Sequence, residues 1–269
     1  MTDFVPLRAL AAELGRARRV LVITGAGMSA DSGLPTYRGV GGLYDNGPTA
    51  DGVAIEEALS GEMMQERPEL TWKYLGEIEQ ACRGRQPNAG HRVLAELAPR
   101  YEQFTVLTQN VDGFHRQAGS RDLIEIHGNL HRLQCSFCPY EVEVEDYSGL
   151  EIPPSCPYCA GLVRPRVVLF GEALPQRELE RLYQVIEQGV DLVISIGTTS
   201  VFPYIAQPVI VAARRGVPTA EINPGASEVS HLVRYRVREG AAAALQKLGE
   251  LLDGQVGVGL RAKARREFI

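Results

Sequence analysis

Four cysteines, Cys135, Cys138, Cys156 and Cys159, read Cys-x2-Cys, 17 intervening residues, Cys-x2-Cys. That spacing brings four thiolates around one tetrahedral Zn²⁺ ion and folds the chain between them into a small ribbon lobe. Four protein ligands leave no open coordination position. The metal is therefore structural, and it stabilises the lobe by on the order of 10 kcal/mol. An iron–sulfur cluster is the alternative use of four such cysteines. The fifth cysteine, Cys82, is left over and reads as a partly buried helix residue. An odd thiol beside four metal-binding thiolates fits a reducing compartment, and hence a cytoplasmic protein.

The rest of the chain alternates short apolar runs with helical stretches. Arg19 to Thr24 (RVLVIT) reads as a buried parallel strand. Phe104 to Leu107, Leu123 to Ile126, Val167 to Phe170, Leu192 to Ile196 and Pro218 to Ile222 are further short runs. Helical segments are expected over Leu7 to Leu14, Glu178 to Glu187 and Pro208 to Arg215, with a closing amphipathic helix after Ala241. This pattern predicts an α/β fold: a Rossmann-like parallel sheet with helices on both faces. Two stretches break the rhythm. Ile55 to Leu97 is mostly helical, with Asn88 as an N-cap, and Arg132 to Leu162 carries the cysteines with a strand over Glu141 to Glu145. The expected organisation is a Rossmann-like domain (1–44, 104–130 and 163–269), a helical insertion (45–103) and a zinc-ribbon lobe (131–162).

Composition bounds the function. Hydrophobic residues make up 45% and charged residues 23%, as in ordinary globular chains. The net charge of −5 argues against direct nucleic-acid binding, which favours a basic face. MTDFVPLRAL lacks a basic region followed by an apolar run, so no signal peptide is expected. Leu192 to Ala213 holds 22 residues without a charge, long enough to span a bilayer. Gly197, Thr198, Thr199, Ser200, Pro203 and Pro208 interrupt it, so a strand, a polar loop and a helix are expected instead of a membrane span.

Gly25-Ala26-Gly27 follows a strand and opens a helix, where glycines let a pyrophosphate approach the backbone. A tight turn without a ligand is the simpler reading of that segment alone. Ser29, Asp31, Ser32, Pro35, Tyr37 and Arg38 add polar groups, and Gly39, Gly41, Gly42 and Gly47 suit a cover over a cofactor. Gln109, Asn110 and Asp112 follow the strand Phe104 to Leu107, at the end where open α/β sheets bind ligands; an Asx turn is the alternative. His127 stands at another strand's carboxyl end, and an imidazole suits a general base. His91, His115 and His131 read as structural.

Taken together, these segments resemble the sirtuin (Sir2) family of NAD-dependent protein deacylases over nearly the whole chain. GAGMSADSGLPTYRG (Gly25 to Gly39) resembles the family's GAG-x-S-x-x-SGIP-x-FRG, and TQNVDGFHRQAG resembles TQN-[IV]-D-x-LH-x-x-AG. HGN, the two cysteine pairs, VVLFGEALP (Val167 to Pro175), GTTS (Gly197 to Ser200) and INPG (Ile222 to Gly225) follow in family order. The resemblance implies NAD as co-substrate, one structural Zn²⁺ and an acyl-lysine protein or peptide as partner. It implies that Gly25, Ala26, Gly27, Ser29, Asp31, Tyr37, Arg38 and Gln109 line the cofactor cleft. Ser32, Asn110, Val111 and Asp112 would take the nicotinamide end, and Gly197, Thr198, Thr199, Asn223 and Ala241 the adenosine side. Val168, Leu169, Phe170 and Gly171 would pair with the peptide as a strand, with His127 as general base and Asn110 beside it in catalysis. The implied reaction joins the acyl oxygen to C1′ of the nicotinamide ribose, then has His127 assist a ribose hydroxyl. Its products are free lysine, nicotinamide and O-acyl-ADP-ribose.

The sequence departs from the pattern in places. Tyr37 stands where Phe is usual, and Phe114 where Leu is usual. Acid-preferring relatives carry a Tyr-x-x-Arg pair in the helical insertion. Counting back from QPNA places Tyr74 and Glu77 there, and a Glu would repel an acidic acyl group. The competing readings are an ADP-ribosyltransferase using the same cofactor cleavage and a non-catalytic NAD or zinc-ribbon module. A dehydrogenase, suggested by the Gly turn alone, lacks an acidic ribose reader at the expected spacing.

Overall fold

A computed structural model describes residues 4–35 and 48–266. Tyr37, Arg38 and the Gly-rich segment after them, with Gly39, Gly41, Gly42 and Gly47, lie outside the described residues.

After helix α1 (Phe4–Leu14), strand β1 (Arg19–Thr24) lies at the centre of the larger sheet, buried from Val20 to Thr24. One helical turn, α2 (Gly27–Ala30), follows it. The chain then forms α3 (Ile55–Ala58), α4 (Gly61–Glu66), α5 (Pro68–Cys82) and α6 (Ala89–Leu97) before strand β2 (Gln103–Thr108). A short α7 (Phe114–Gln117) leads to β3 (Leu123–Glu125), and β4 (Gly128–Cys135), β5 (Glu141–Glu143) and β6 (Val163–Val167) come next. Helix α8 (Gln176–Glu187), β7 (Leu192–Ile196), α9 (Pro203–Arg214), β8 (Thr219–Ile222), β9 (Tyr235–Val237) and α10 (Ala241–Arg266) complete it.

The six-stranded sheet has the order β3-β2-β1-β7-β8-β9, with every pairing parallel. The chain builds outward from β1 to β3 on one side and from β7 to β9 on the other. Its topological switch therefore lies between β1 and β7, where loops at the strands' carboxyl ends open a crevice. Alternate side chains of each strand face opposite layers. Val20, Val22, Ile194 and Ile222 pack against Leu7, Leu10, Leu94 and Leu245 from α1, α6 and α10. Leu21, Ile23, Leu107 and Val193 pack against Leu182, Val185, Ile205 and Val209 from α8 and α9. A sheet covered on both faces explains why its strands read as unbroken apolar runs.

The second body holds a three-stranded antiparallel sheet, β5-β4-β6, and the helices α3 to α5. These segments share one apolar cluster, in which Leu59, Met64, Leu70, Trp72 and Leu75 meet Leu130, Leu133, Cys135, Tyr147, Cys156 and Val163. Trp72 Nε1 donates to the Val163 carbonyl at 3.1 Å, and its ring meets Tyr147 edge-on at 5.3 Å. The helical insertion and the cysteine lobe, read as separate units in the sequence, thus pack on each other.

Several sequence expectations change. Val167 to Phe170 is no strand of the large sheet; Val167 ends β6, and Phe170 makes only an isolated bridge with Ser60. Helix α6, placed in the insertion by its position in the chain, packs Leu94 and Leu97 into the core of the larger sheet. Helix α9 starts at Pro203, because that proline takes the first helical position; Pro208 sits inside the helix and leaves the Tyr204 carbonyl without its usual intrahelical donor. Strand β9, three residues long, gave no periodic signal. Leu192 to Ala213 divides into β7, a loop and most of α9, and no helix among the described residues is long and apolar enough to cross a membrane.

Candidate active site

The loops after β1 and β7 meet face to face. The Gly27 N–H donates to the Gly197 carbonyl at 2.8 Å. A Cβ on Gly27 would lie 2.7 Å from Gly197 Cα, and Gly197 itself has φ +57°, so glycine is required on both sides of this contact. Ser200 in the same loop holds φ +55°, a strained value for a side-chain-bearing residue. Beside this contact opens a cavity of about 450 Å³. Gly25, Ala26, Gly27, Gln109, Asn110, Thr198, Thr199 and Asn223 line its polar end. Leu59, Leu75, Ile78, Leu130, Val167, Leu169 and Phe170 line its apolar end, and His127 also borders it.

The polar side chains hold each other in place. Gln109 Nε2 donates to Thr198 Oγ1 at 2.8 Å, and Asn223 Nδ2 donates to the Thr198 carbonyl at 3.0 Å. Asn110 Nδ2 donates to the Gly25 carbonyl at 3.0 Å and to Ser29 Oγ at 3.1 Å. Ser29 Oγ donates to Asp112 at 2.6 Å, and Asp112 also accepts the Phe114 N–H at 2.9 Å. Burial pushes the Asp112 carboxyl up, while these two hydrogen bonds pull it down. Ala26, Ser29, Asn110, Val111, Asp112 and Cys82 line a second, small pocket behind the main cavity.

His127 is half-buried at the junction of the two bodies, just before β4. The next residue, Gly128, has φ +82°, and a Cβ there would lie 1.9 Å from the Arg166 carbonyl oxygen. Only glycine allows the turn that places His127 where it is. His127 Nδ1 lies 3.0 Å from the Gln109 carbonyl and Nε2 lies 2.6 Å from the Tyr204 hydroxyl. Burial lowers the imidazole to about 4, opposed by the hydrogen bond to Gln109. The ring is therefore neutral at pH 7 and able to take a proton.

Other expected residues go elsewhere. Asp31 is exposed and accepts the Ala242 N–H at 2.9 Å, so it caps α10 near Ala241 instead of lining the cavity. Ala241 is buried in the core of the large sheet. Ser32 accepts from Asn88 Nδ2 at 3.1 Å. Val168 to Gly171 border the cavity, but the N–H groups of Val168, Leu169 and Phe170 already donate to His127, Glu172 and Leu59. The edge open to a peptide is shorter than four residues. Tyr74 turns its hydroxyl to Asp51 and Glu77 is exposed, so that pair does not face the cavity; Leu75 and Ile78, one position further on, do. Neither Arg83, bonded to Glu79, nor Arg85, beside Gly33, lines the cavity. Sequence reasoning missed Phe202 and Tyr204, which border the cavity beside His127.

His91 completes a capping box with Asn88 at the start of α6, and His115 contacts Thr24 at 2.9 Å. Both are structural, as expected. Cys82 is buried, and burial raises its thiol to about 12, with Asp112 and Glu79 adding to the shift.

The four lobe cysteines converge, with every Sγ within 4.8 Å of the others. Cys135 and Cys159 sulfurs lie 3.5 Å apart, and those of Cys138 and Cys156 3.6 Å apart. Zn–S bonds of about 2.3 Å in a tetrahedron set sulfur separations near 3.8 Å, so the set fits one Zn²⁺ ion.

A Rossmann-type sheet with a polar crevice at its switch point, roofed by a helical and four-cysteine body, defines a dinucleotide-using α/β protein with a structural metal. The family model described as "Sir2 family" matches residues 25–203. The chain is 50% identical over 240 residues to NAD-dependent protein deacylase 2 of Pseudomonas aeruginosa, covering 88% of this chain and 93% of that one. It is similar to a solved Sir2 homologue–NAD complex with TM-score 0.82 and 33% identity, covering 92% and 94% of the two chains. A solved Sir2–p53 peptide–NAD⁺ complex gives TM-score 0.79 and 26% identity over 93% and 99%. The chain belongs to the Sir2 family.

Proposed function

We propose that this enzyme is an NAD-dependent protein-lysine deacylase that prefers acetyl and other neutral acyl groups, with His127 as its general base. The activity class follows from the family and from relatives named NAD-dependent protein deacylase. The residue roles rest on one observation: an anchored, neutral imidazole stands where a polar crevice meets an apolar chamber.

The donor set at the polar end fits NAD. The Gln109 and Asn223 side-chain amides, the Thr198 and Thr199 hydroxyls and Ala26 line a crevice whose close glycine approach excludes side chains. When bound, NAD supplies an electrophilic ribose carbon and nicotinamide as a leaving group. Asn110, Ser29 and Asp112 form a buried hydrogen-bonded set at the inner pocket and would orient the nicotinamide end. Asn110 would position the reacting groups beside His127. Ser32 and Asp31 act further out, through Asn88 and the α10 N-terminus.

Leu59, Leu75, Ile78, Leu130 and Leu169 would hold the acyl group and exclude water. The lysine-bearing peptide would enter between Val168–Gly171 and the loop after β7. A protein partner reached through backbone pairing needs no basic face. Four cysteines kept as metal ligands fit a cytoplasmic site of action, and direct nucleic-acid binding is not part of this reading.

The test is His127→Ala with NAD and an acetyl-lysine peptide, products identified by mass. Loss of a general base costs about a hundredfold to ten-thousandfold in rate. Near-normal release of O-acetyl-ADP-ribose by a folded variant would sink the assignment. ADP-ribose transferred to protein with no deacylated lysine would favour the transferase reading instead.

A further inference from the structure

Tyr204 lies in the first turn of α9, beside the loop that follows β7. Its ring stacks on Phe202, with centroids 5.5 Å and planes 14° apart. Both rings stand edge-on to the His127 imidazole at 5.8 Å. The imidazole and the phenol are thereby held in one relative orientation, with Oη 2.6 Å from Nε2.

The tautomer follows from the partners. A carbonyl only accepts, so His127 Nδ1, facing the Gln109 carbonyl at 3.0 Å, carries the ring proton. Nε2 then holds the lone pair, and the Tyr204 hydroxyl donates to it. A substrate hydroxyl that must lose a proton to His127 meets a lone pair already bonded to Tyr204. Both residues border the cavity.

We propose that Tyr204 is a catalytic proton relay: a substrate hydroxyl in the cleft gives its proton to Tyr204 Oη as Tyr204 passes its own proton to His127 Nε2. The proposal rests on His127 being the base. One O–H bond breaks on the substrate and one forms at Oη. One O–H bond breaks at Oη and one N–H bond forms at Nε2. The substrate oxygen keeps the electron pair, His127 takes the positive charge, and Tyr204 ends as it began. Burial pushes the phenol up to about 12, which keeps Tyr204 protonated before and after the exchange. A residue that both gives and receives a proton need not be a stable anion.

Tyr204→Phe removes the relay oxygen and keeps the ring that stacks on Phe202. Two measurements read it. In ¹⁵N-labelled protein without NAD, His127 Nε2 should shift on Tyr204→Phe to the value of an acceptor freed of its donor. An unchanged resonance would overturn the contact and the proposal together. With NAD and an acetyl-lysine peptide, deacylation is compared with exchange of labelled nicotinamide into NAD, which reads the enzyme before the hydroxyl is deprotonated. The ratio of deacylation to exchange should fall by about tenfold to a hundredfold, the scale of a lost proton-transfer group. A ratio within about twofold of the parent, or a faster deacylation, would overturn the relay and leave Tyr204 as a cap that yields to substrate. Site-specific 3,5-difluorotyrosine at position 204 keeps shape and hydroxyl but changes acidity. A changed ratio supports the relay, and an unchanged one overturns it even if Tyr204→Phe fails to fold. His127→Ala runs in parallel. If that variant keeps its deacylation, the base assignment fails; if only Tyr204→Phe keeps it, the base stands and the relay falls.

Discussion

His127 shows how one side chain's setting fixes its chemistry. Its neighbours are the Gln109 carbonyl, the Tyr204 hydroxyl and the Phe202 ring, with no charged group among these contacts. Burial therefore dominates and lowers the imidazole from 6.5 to about 4. The neutral, proton-accepting form survives as pH falls through 6 and is lost only as pH approaches that value. The acid limb that His127 imposes on kcat/KM should accordingly lie near pH 4 to 5. Deacylation followed from pH 4 to 8, with a limb centred near 6.5, would contradict the buried setting. His127 was legible as a candidate from its strand-end position and family motif. Its partner Tyr204 was not, because a tyrosine 77 residues away enters no local pattern.

At the scale of elements, periodicity carried the central strands well. RVLVIT and LVISI are buried on both faces and bounded by Gly or Thr clusters, so no other element fits them. It failed where register or tertiary packing decides. Val167 to Phe170 has strand-like composition, but Arg164 holds Glu172 at 3.0 Å and Glu172 accepts the Leu169 N–H, which turns the chain after β6. On α5, a shift of one residue moves the cavity-facing pair from Tyr74 and Glu77 to Leu75 and Ile78. The proposed neutral preference then rests on a different cause, the apolar lining instead of Glu77. An unpaired carboxylate entering an apolar chamber costs a few kcal/mol, roughly a hundredfold in kcat/KM. Competition between acetyl- and succinyl-lysine peptides of one sequence measures it, and equal rates would refute it. Ile78→Arg should then raise succinyl over acetyl selectivity by about tenfold or more, since a guanidinium there would pair with the acyl carboxylate. No gain in that ratio would show that α5 does not wall the acyl site.

Across the whole molecule, the four-cysteine lobe and the proposed acyl chamber share material. Cys135 and Cys156 pack in the same cluster as Trp72 and Leu75, and Leu75 borders the cavity. The purified protein should carry one zinc per chain. Cys135→Ser, or chelation of the zinc, should lower the melting temperature, redden the emission of Trp72, the only tryptophan, and reduce deacylation. Metal analysis without zinc, or zinc loss that leaves Trp72 emission and melting unchanged, would refute the coupling. The cysteine spacing announced the metal, but nothing local in the sequence announced that α3 to α5 form the lobe's other wall.

That shared wall sets an order of events during synthesis. Trp72 lies 91 residues before Val163, whose carbonyl it bonds. A ribosome-bound chain ending before Val163 has made α5 but not the strand that covers it. The larger sheet waits longer still, since the central β1 needs β7 as its second neighbour. Neither core closes on local contacts, and such long-range topologies fold slowly and expose apolar surface meanwhile. The nascent chain therefore emerges with Trp72, Met64 and Leu70 unsheltered while the 91 residues from Trp72 up to Val163 are made, a stretch in which chaperone capture competes with folding.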